Sequence, residues 1–103
     1  MTTSRGHRRP GAMTSDVATV LAERGQRYGE FAGHASLTQA LKAAMASHPR
    51  YDGLTPSMRE ALEMVQHKIG RIINGDPNYL DSWVDMIGYT QLVLDELRQA
   101  GHE

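Results

Sequence analysis

The chain has 103 residues, is 40% hydrophobic and lacks cysteine, so it has room for one domain with a modest core and is not a disulfide scaffold. Its formal net charge of -1 is unevenly spread, because Arg5, Arg8 and Arg9 precede Met13 and no acid does; the mildly acidic remainder argues against nucleic-acid binding, which calls for a basic stripe. No run approaches the ~18 apolar residues of a transmembrane helix and no apolar signal core follows the basic N-terminus, so a soluble cytoplasmic protein with no membrane partner is expected.

Residues 1–13 are polar, contain Gly and Pro and have no periodicity, which reads as a disordered basic leader. A start at Met13 and a functional basic arm fit this stretch equally well. One all-α domain is expected over 14–100. From Ser15, a helix-capping residue, Val17, Val20 and Leu21 follow helical spacing up to a break at Gly25. The segment from Gly25 to Phe31 has neither helical nor strand periodicity and is expected to be a structured loop. Leu37, Leu41, Ala44 and Met45 predict a second helix that stops near Ser47, since Pro49 disfavours helical backbone at His48.

Thr55-Pro56, a cap followed by proline at the first helical position, opens a third helix. Met58, Leu62, Val65, Ile69, Ile72 and Ile73 form its apolar stripe, and Asn74-Gly75, residues tolerant of left-handed backbone, end it. A fourth helix is predicted from about Leu80 to Arg98, with Leu80, Trp83, Val84, Ile87, Leu94 and Leu97 inward and Asp81, Asp85 and Tyr89 on another face. No segment alternates long enough for a strand, so the fold class is an all-α bundle of about four helices ending in an antiparallel hairpin. Stripes this long lack enough partners in one small domain, and completion by homo-oligomerisation, as a dimer or higher, is expected.

Two carboxylate pairs carry the candidate chemistry. Glu60 and Glu63 are three apart and Asp81 and Asp85 four apart, so each pair shares a helix face, and crowded like charges invite a cation such as Mg²⁺. The plain alternative is that all four are solvated surface acids. The hairpin also puts Glu60 and Asp81 towards opposite ends, with Glu63 and Asp85 nearer the middle. Lys68 and Arg71 either complement the C-terminal end of helix three or hold phosphate oxygens. Gly88 within a helix points to close approach of another helix or a ligand, Tyr89 to core packing or base stacking, and Trp83 to a core or interface anchor. Arg24, Arg27 and Tyr28, in and beside the glycine segment, form a second candidate, because glycines let a backbone approach phosphate and arginines supply paired donors. Zinc is not indicated: only His67 lies on the acidic helix, where a surface position is expected, and no E-x-x-H occurs.

The string HKIGRIINGDPNYLDSWVDMIGYTQL, with ERGQRYGEF upstream, resembles a family of small uncharacterised domains common in phages and prophages. Those domains look similar to the all-α NTP pyrophosphohydrolase superfamily, the MazG-like and dimeric-dUTPase-like proteins. The likeness covers Ala22 to Leu97 for the small family and about Glu60 to Tyr89 for the superfamily. It implies an oligomeric helical hydrolase that uses Mg²⁺ to split a nucleoside triphosphate into a monophosphate and pyrophosphate. Under it, Glu60, Glu63, Asp81 and Asp85 would hold metal, Glu63 and Asp85 would be catalytic, and Arg24, Tyr28, Lys68, Arg71 and Tyr89 would bind the nucleotide. The superfamily pattern is E-x-x-E followed by E-x-x-D. Glu60 and Glu63 meet its first half, but Ser82 stands where the second half has an acid, with Asp81 the nearest substitute. That departure leaves open a non-catalytic helical module that binds a nucleotide or a protein.

Overall fold

The computed structural model describes the backbone of residues 10–103 and side chains from Asp16 onward. Its four helices are α1 (Pro10–Tyr28), α2 (Phe31–Ala46), α3 (Pro56–Asn74) and α4 (Leu80–Gln99), with a short 3-10 turn at Tyr51–Gly53 before α3. The described residues contain no strand, and none of their helices is long and apolar enough to cross a membrane. Most of the expected leader lies outside the described residues; Pro10 to Met13 already belong to α1.

The largest departure from the sequence reading lies between α1 and α2. Gly25 does not break the helix. It is exposed, with open space where a Cβ would point, and α1 continues to Tyr28. The turn comes instead at Gly29, with a φ of 75°, a conformation that only glycine adopts freely. Asn74, at the end of α3, fixes that turn: its Nδ2 donates to the carbonyls of Tyr28 at 2.7 Å and Glu30 at 2.9 Å. A Cβ on Gly29 would strike the Asn74 carbonyl, and one on Gly33 would lie 2.6 Å from Asn74 Oδ1. Gly75 is also shaped by this contact. Its φ of -131° is not left-handed, and glycine is required there because the backbone of Arg27 and Tyr28 leaves no space for a side chain.

The other boundaries follow local chemistry. Ser47 ends α2, its Oγ donating to the Ala44 carbonyl at 2.8 Å. Thr55 Oγ1 accepts from Met58 N at 3.2 Å and caps α3, with Pro56 next. In the turn to α4, Asp76 Oδ1 accepts from Asn78 N at 2.9 Å and Trp83 Nε1 donates to the Pro77 carbonyl at 2.8 Å. Lys68 meets Asp85, while Met58 and Leu97 line a common groove, so α3 and α4 run antiparallel as expected.

Side-chain burial corrects the inward list for α4. Leu80, Trp83, Val84, Ile87 and Leu94 are exposed, and Leu97 alone of that set is half-buried. Facing α3 are the buried Ser82 and Asp85, whose partner Lys68 is only 8% exposed, and further along Leu94 and Leu97, which line a groove with Met58, Ala61 and Leu62. Periodicity identified an apolar stripe, but in the first half of α4 a polar pair rather than that stripe faces α3. Among the described apolar residues only Ala61 is fully buried. Trp83 is held by its bond to the hairpin turn rather than by a core.

Candidate functional site

The α1–α2 turn and the middle of α3 line a half-open cavity of about 730 Å³, bordered by residues including Arg24, Tyr28, Phe31, His34, His67 and Arg71. Its volume falls within the ~300–1,000 Å³ usual for small-molecule sites. Arg24 and Tyr28 come from the last turns of α1, His34 from the first turn of α2, and His67 and Arg71 from successive turns of one α3 face. The Arg71 guanidinium carbon lies 4.2 Å from the centroid of the Tyr28 ring, a cation–π contact. Tyr28 meets Tyr79 edge-on with centroids 6.1 Å apart, and Arg27 lies 5.0 Å over Tyr79. The exposed Phe31 ring forms the lip, 6.4 Å from His34.

Two histidines lie together beside these cations. His34, 6% exposed, packs its ring edge-on against His67 with centroids 4.7 Å apart, and His34 Nε2 and His67 Nδ1 are 3.4 Å from each other. His34 Nδ1 is buried against Gly70 and lacks a hydrogen bond of good geometry. A Cβ on Gly70 would fall 2.6 Å from Thr38 Cγ2 and 3.0 Å from that nitrogen, so Gly70 is what lets α2 cross α3 closely enough to join the rings. Burial lowers the His67 pKa to about 4, helped by Arg71, His34, Lys68 and Lys42. His34 is lowered by burial and then by Arg71, partly offset by the Gly70 backbone. Both rings are therefore neutral at pH 7 in a cationic setting.

His67 thus departs from the surface position expected of it. The pair was missed because its members are 33 positions apart and on different helices. The usable local signal was Gly70, one helical turn beyond His67, which marked a close helix crossing.

Three of the five expected nucleotide-binding residues, Arg24, Tyr28 and Arg71, line the cavity. Lys68 and Tyr89 do not. Lys68 Nζ is 2.7 Å from Asp85 Oδ2 in the α3–α4 seam, and Tyr89 is half-buried on α4. Three of the four acids are engaged separately, and the fourth is exposed. Glu60 is exposed, Glu63 Oε2 accepts from Tyr51 Oη at 2.8 Å, Asp81 Oδ2 accepts from Tyr79 Oη at 3.2 Å, and Asp85 holds Lys68. Those bonds to carboxylates are the main cause of the raised pKa of Tyr51 and of Tyr79. With Lys68 opposite Asp85, the antiparallel register leaves Glu60 and Asp81 about twelve residues apart along the hairpin, ~18 Å at 1.5 Å per residue. No three His, Asp or Glu among the described residues converge as a metal site. Ser82 is 3% exposed, so an acid in its place would be stripped of water inside the seam. The donor set within one chain does not fit Mg²⁺.

No family model, curated protein or solved structure matches the chain.

Proposed function

We propose that this protein is a helical module that binds a phosphate-bearing small molecule of the nucleotide class in the α1–α2–α3 cavity, and that it works as a homo-oligomer. The observation that carries this reading is the meeting of Arg24, Tyr28 and Arg71, drawn from two distant helices, around one cavity with two neutral histidines. Guanidinium groups donate paired hydrogen bonds to phosphate oxygens, and Arg71 is held against the Tyr28 ring at 4.2 Å. Phe31, 80% exposed at the lip, offers a face on which a base can stack. Glu30, also lining the cavity, supplies an acceptor for a sugar hydroxyl or base amine.

Binding is favoured over pyrophosphate hydrolysis because three of the four acids the hydrolase reading needs have separate partners, one of them the buried ammonium of Lys68. Calorimetric titration with a non-hydrolysable ATP analogue, with and without Mg²⁺, tests the proposal. Saturable binding is expected, weakened roughly 10- to 100-fold by Arg24→Ala or Arg71→Ala, as befits a lost charge-assisted contact. Absence of binding would overturn it. Magnesium-dependent pyrophosphate release from an NTP and dNTP panel, abolished by Asp85→Asn, would restore the hydrolase.

A further inference from the structure

We propose that the His34–His67 pair takes up one proton from water when a dianionic phosphate enters the cavity, so that the site selects a terminal phosphate monoester over a phosphodiester. This inference rests on the binding reading above and adds to it the charge state and class of the ligand.

Proton geometry comes first. The nitrogens that face each other, His34 Nε2 and His67 Nδ1, are 3.4 Å apart, so one proton between them is shared and the second ring nitrogen of each is set by that choice. With the shared proton on His34, His67 accepts at Nδ1 and carries its own proton on Nε2. With it on His67, His34 must carry its proton on the buried Nδ1, beside Gly70. Adding one proton makes His67 a double donor, to His34 through Nδ1 and to a ligand through Nε2. His34 then keeps a single proton, on Nδ1. Only one imidazolium is formed, because two charged rings with centroids 4.7 Å apart would repel.

Charge then decides when the proton arrives. The groups around the pair are Arg24 and Tyr28 from α1, Glu30 at the turn, Lys42 from α2, and Lys68 and Arg71 from α3. Asp85 of α4 neutralises Lys68, leaving Glu30 the one carboxylate lining the cavity against Arg24 and Arg71, with Lys42 outside it. A further positive charge is disfavoured in the empty site, in keeping with the low His67 pKa of about 4. A dianion reverses that balance, whereas a monoanionic diester is already matched by the arginines. By reciprocity, whatever the ligand adds to proton affinity the proton adds to ligand affinity.

The test compares AMP with 3′,5′-cyclic AMP by calorimetry at pH 7 and follows inorganic sulfate from pH 8 to pH 5. Sulfate remains a dianion throughout, whereas the second phosphate pKa of AMP, near 6, falls inside the range. AMP is expected to bind at least tenfold more tightly than the cyclic diester. Sulfate affinity should rise as pH falls, approaching tenfold per pH unit. His67→Gln should remove that rise, with helicity checked by circular dichroism. If the variant does not fold, the sulfate profile of the unaltered protein decides alone. A flat sulfate profile, or equal affinity for the two adenylates, overturns the proton-coupled selection while leaving the binding reading intact. Failure of every probe to bind overturns both.

Discussion

At the scale of single residues, the two histidines and the Lys68–Asp85 pair behave as buried charge problems with opposite solutions. His67 is kept neutral by burial and by nearby cations, and its folded pKa of about 4 lies below the ordinary 6.5. Between those values the unfolded chain binds more protons, so stability is complete above pH 6.5 and falls as pH drops towards 4. The loss is on the order of 2 kcal/mol, His34 adding in the same direction. Urea midpoints measured from pH 7.5 to 4 should fall accordingly, and His67→Gln should flatten most of the slope. Lys68 takes the other course. Its ammonium is largely covered and lies 2.7 Å from the Asp85 carboxylate. Asp85→Asn, expected from crowded acids alone to be neutral or stabilising, should instead cost about 1–2 kcal/mol by leaving the buried cation without its counter-charge, a figure held down by the partial exposure of Asp85. Lys68→Met in the same background should recover most of the loss, read from the same urea midpoints.

At the scale of elements, two glycines four positions apart should respond oppositely to one added methyl group. Gly25 lies in exposed helix with nothing near its Cβ position, so Gly25→Ala should stabilise by about 0.5–1 kcal/mol. Gly29 combines positive φ with direct apposition to the Asn74 carbonyl, so Gly29→Ala should destabilise by more than that, about 2 kcal/mol or above. Thermal unfolding of the two variants checks the pair. This contrast also explains what was legible beforehand. Thr55-Pro56 and Asn74-Gly75 bound α3 because caps and breakers act within a few residues, and the hairpin and all-α class followed from them. Gly25 misled because a lone glycine costs a helix only ~1 kcal/mol, which one more turn of backbone bonding and a docked helix end can offset. What stops α1 is Asn74, 45 residues beyond Gly29, and no local pattern announces that contact. The cavity obeys the same rule. Arg24, Tyr28 and Arg71 stood out by residue type, but their convergence and the partnership of His34 with His67 depend on helix crossings that spacing does not encode.

At the scale of the whole molecule, the burial pattern describes a chain that is short of a core. Val17, Val20 and Leu21 on α1 and Leu80, Val84, Ile87 and Leu92 on α4 are exposed, while Ala61 is the only fully buried apolar residue among those described. Burial contributes roughly 25 cal/mol per Å², and chains of about this size need most of their apolar side chains covered to offset backbone entropy. A monomer that leaves them in water would be marginal. Gly88 fits this picture: it lies midway along α4, exposed beside Val84 and Ile87, and a Cβ there would meet nothing within 4 Å among the described residues. If a second copy carrying the same bare stripe packs on α4, Gly88 leaves room for its close approach. Sedimentation at micromolar concentration should give a dimer or larger species whose helicity and thermal stability fall on dilution. Ile87→Glu, which puts a charge on the stripe without touching the α3 seam or the cavity, should shift the protein towards monomer and lower its melting temperature. A fully helical monomer that persists on dilution, or an Ile87→Glu variant that keeps both assembly and stability, would show that α4 needs no partner and that the exposed stripe is tolerated as it stands.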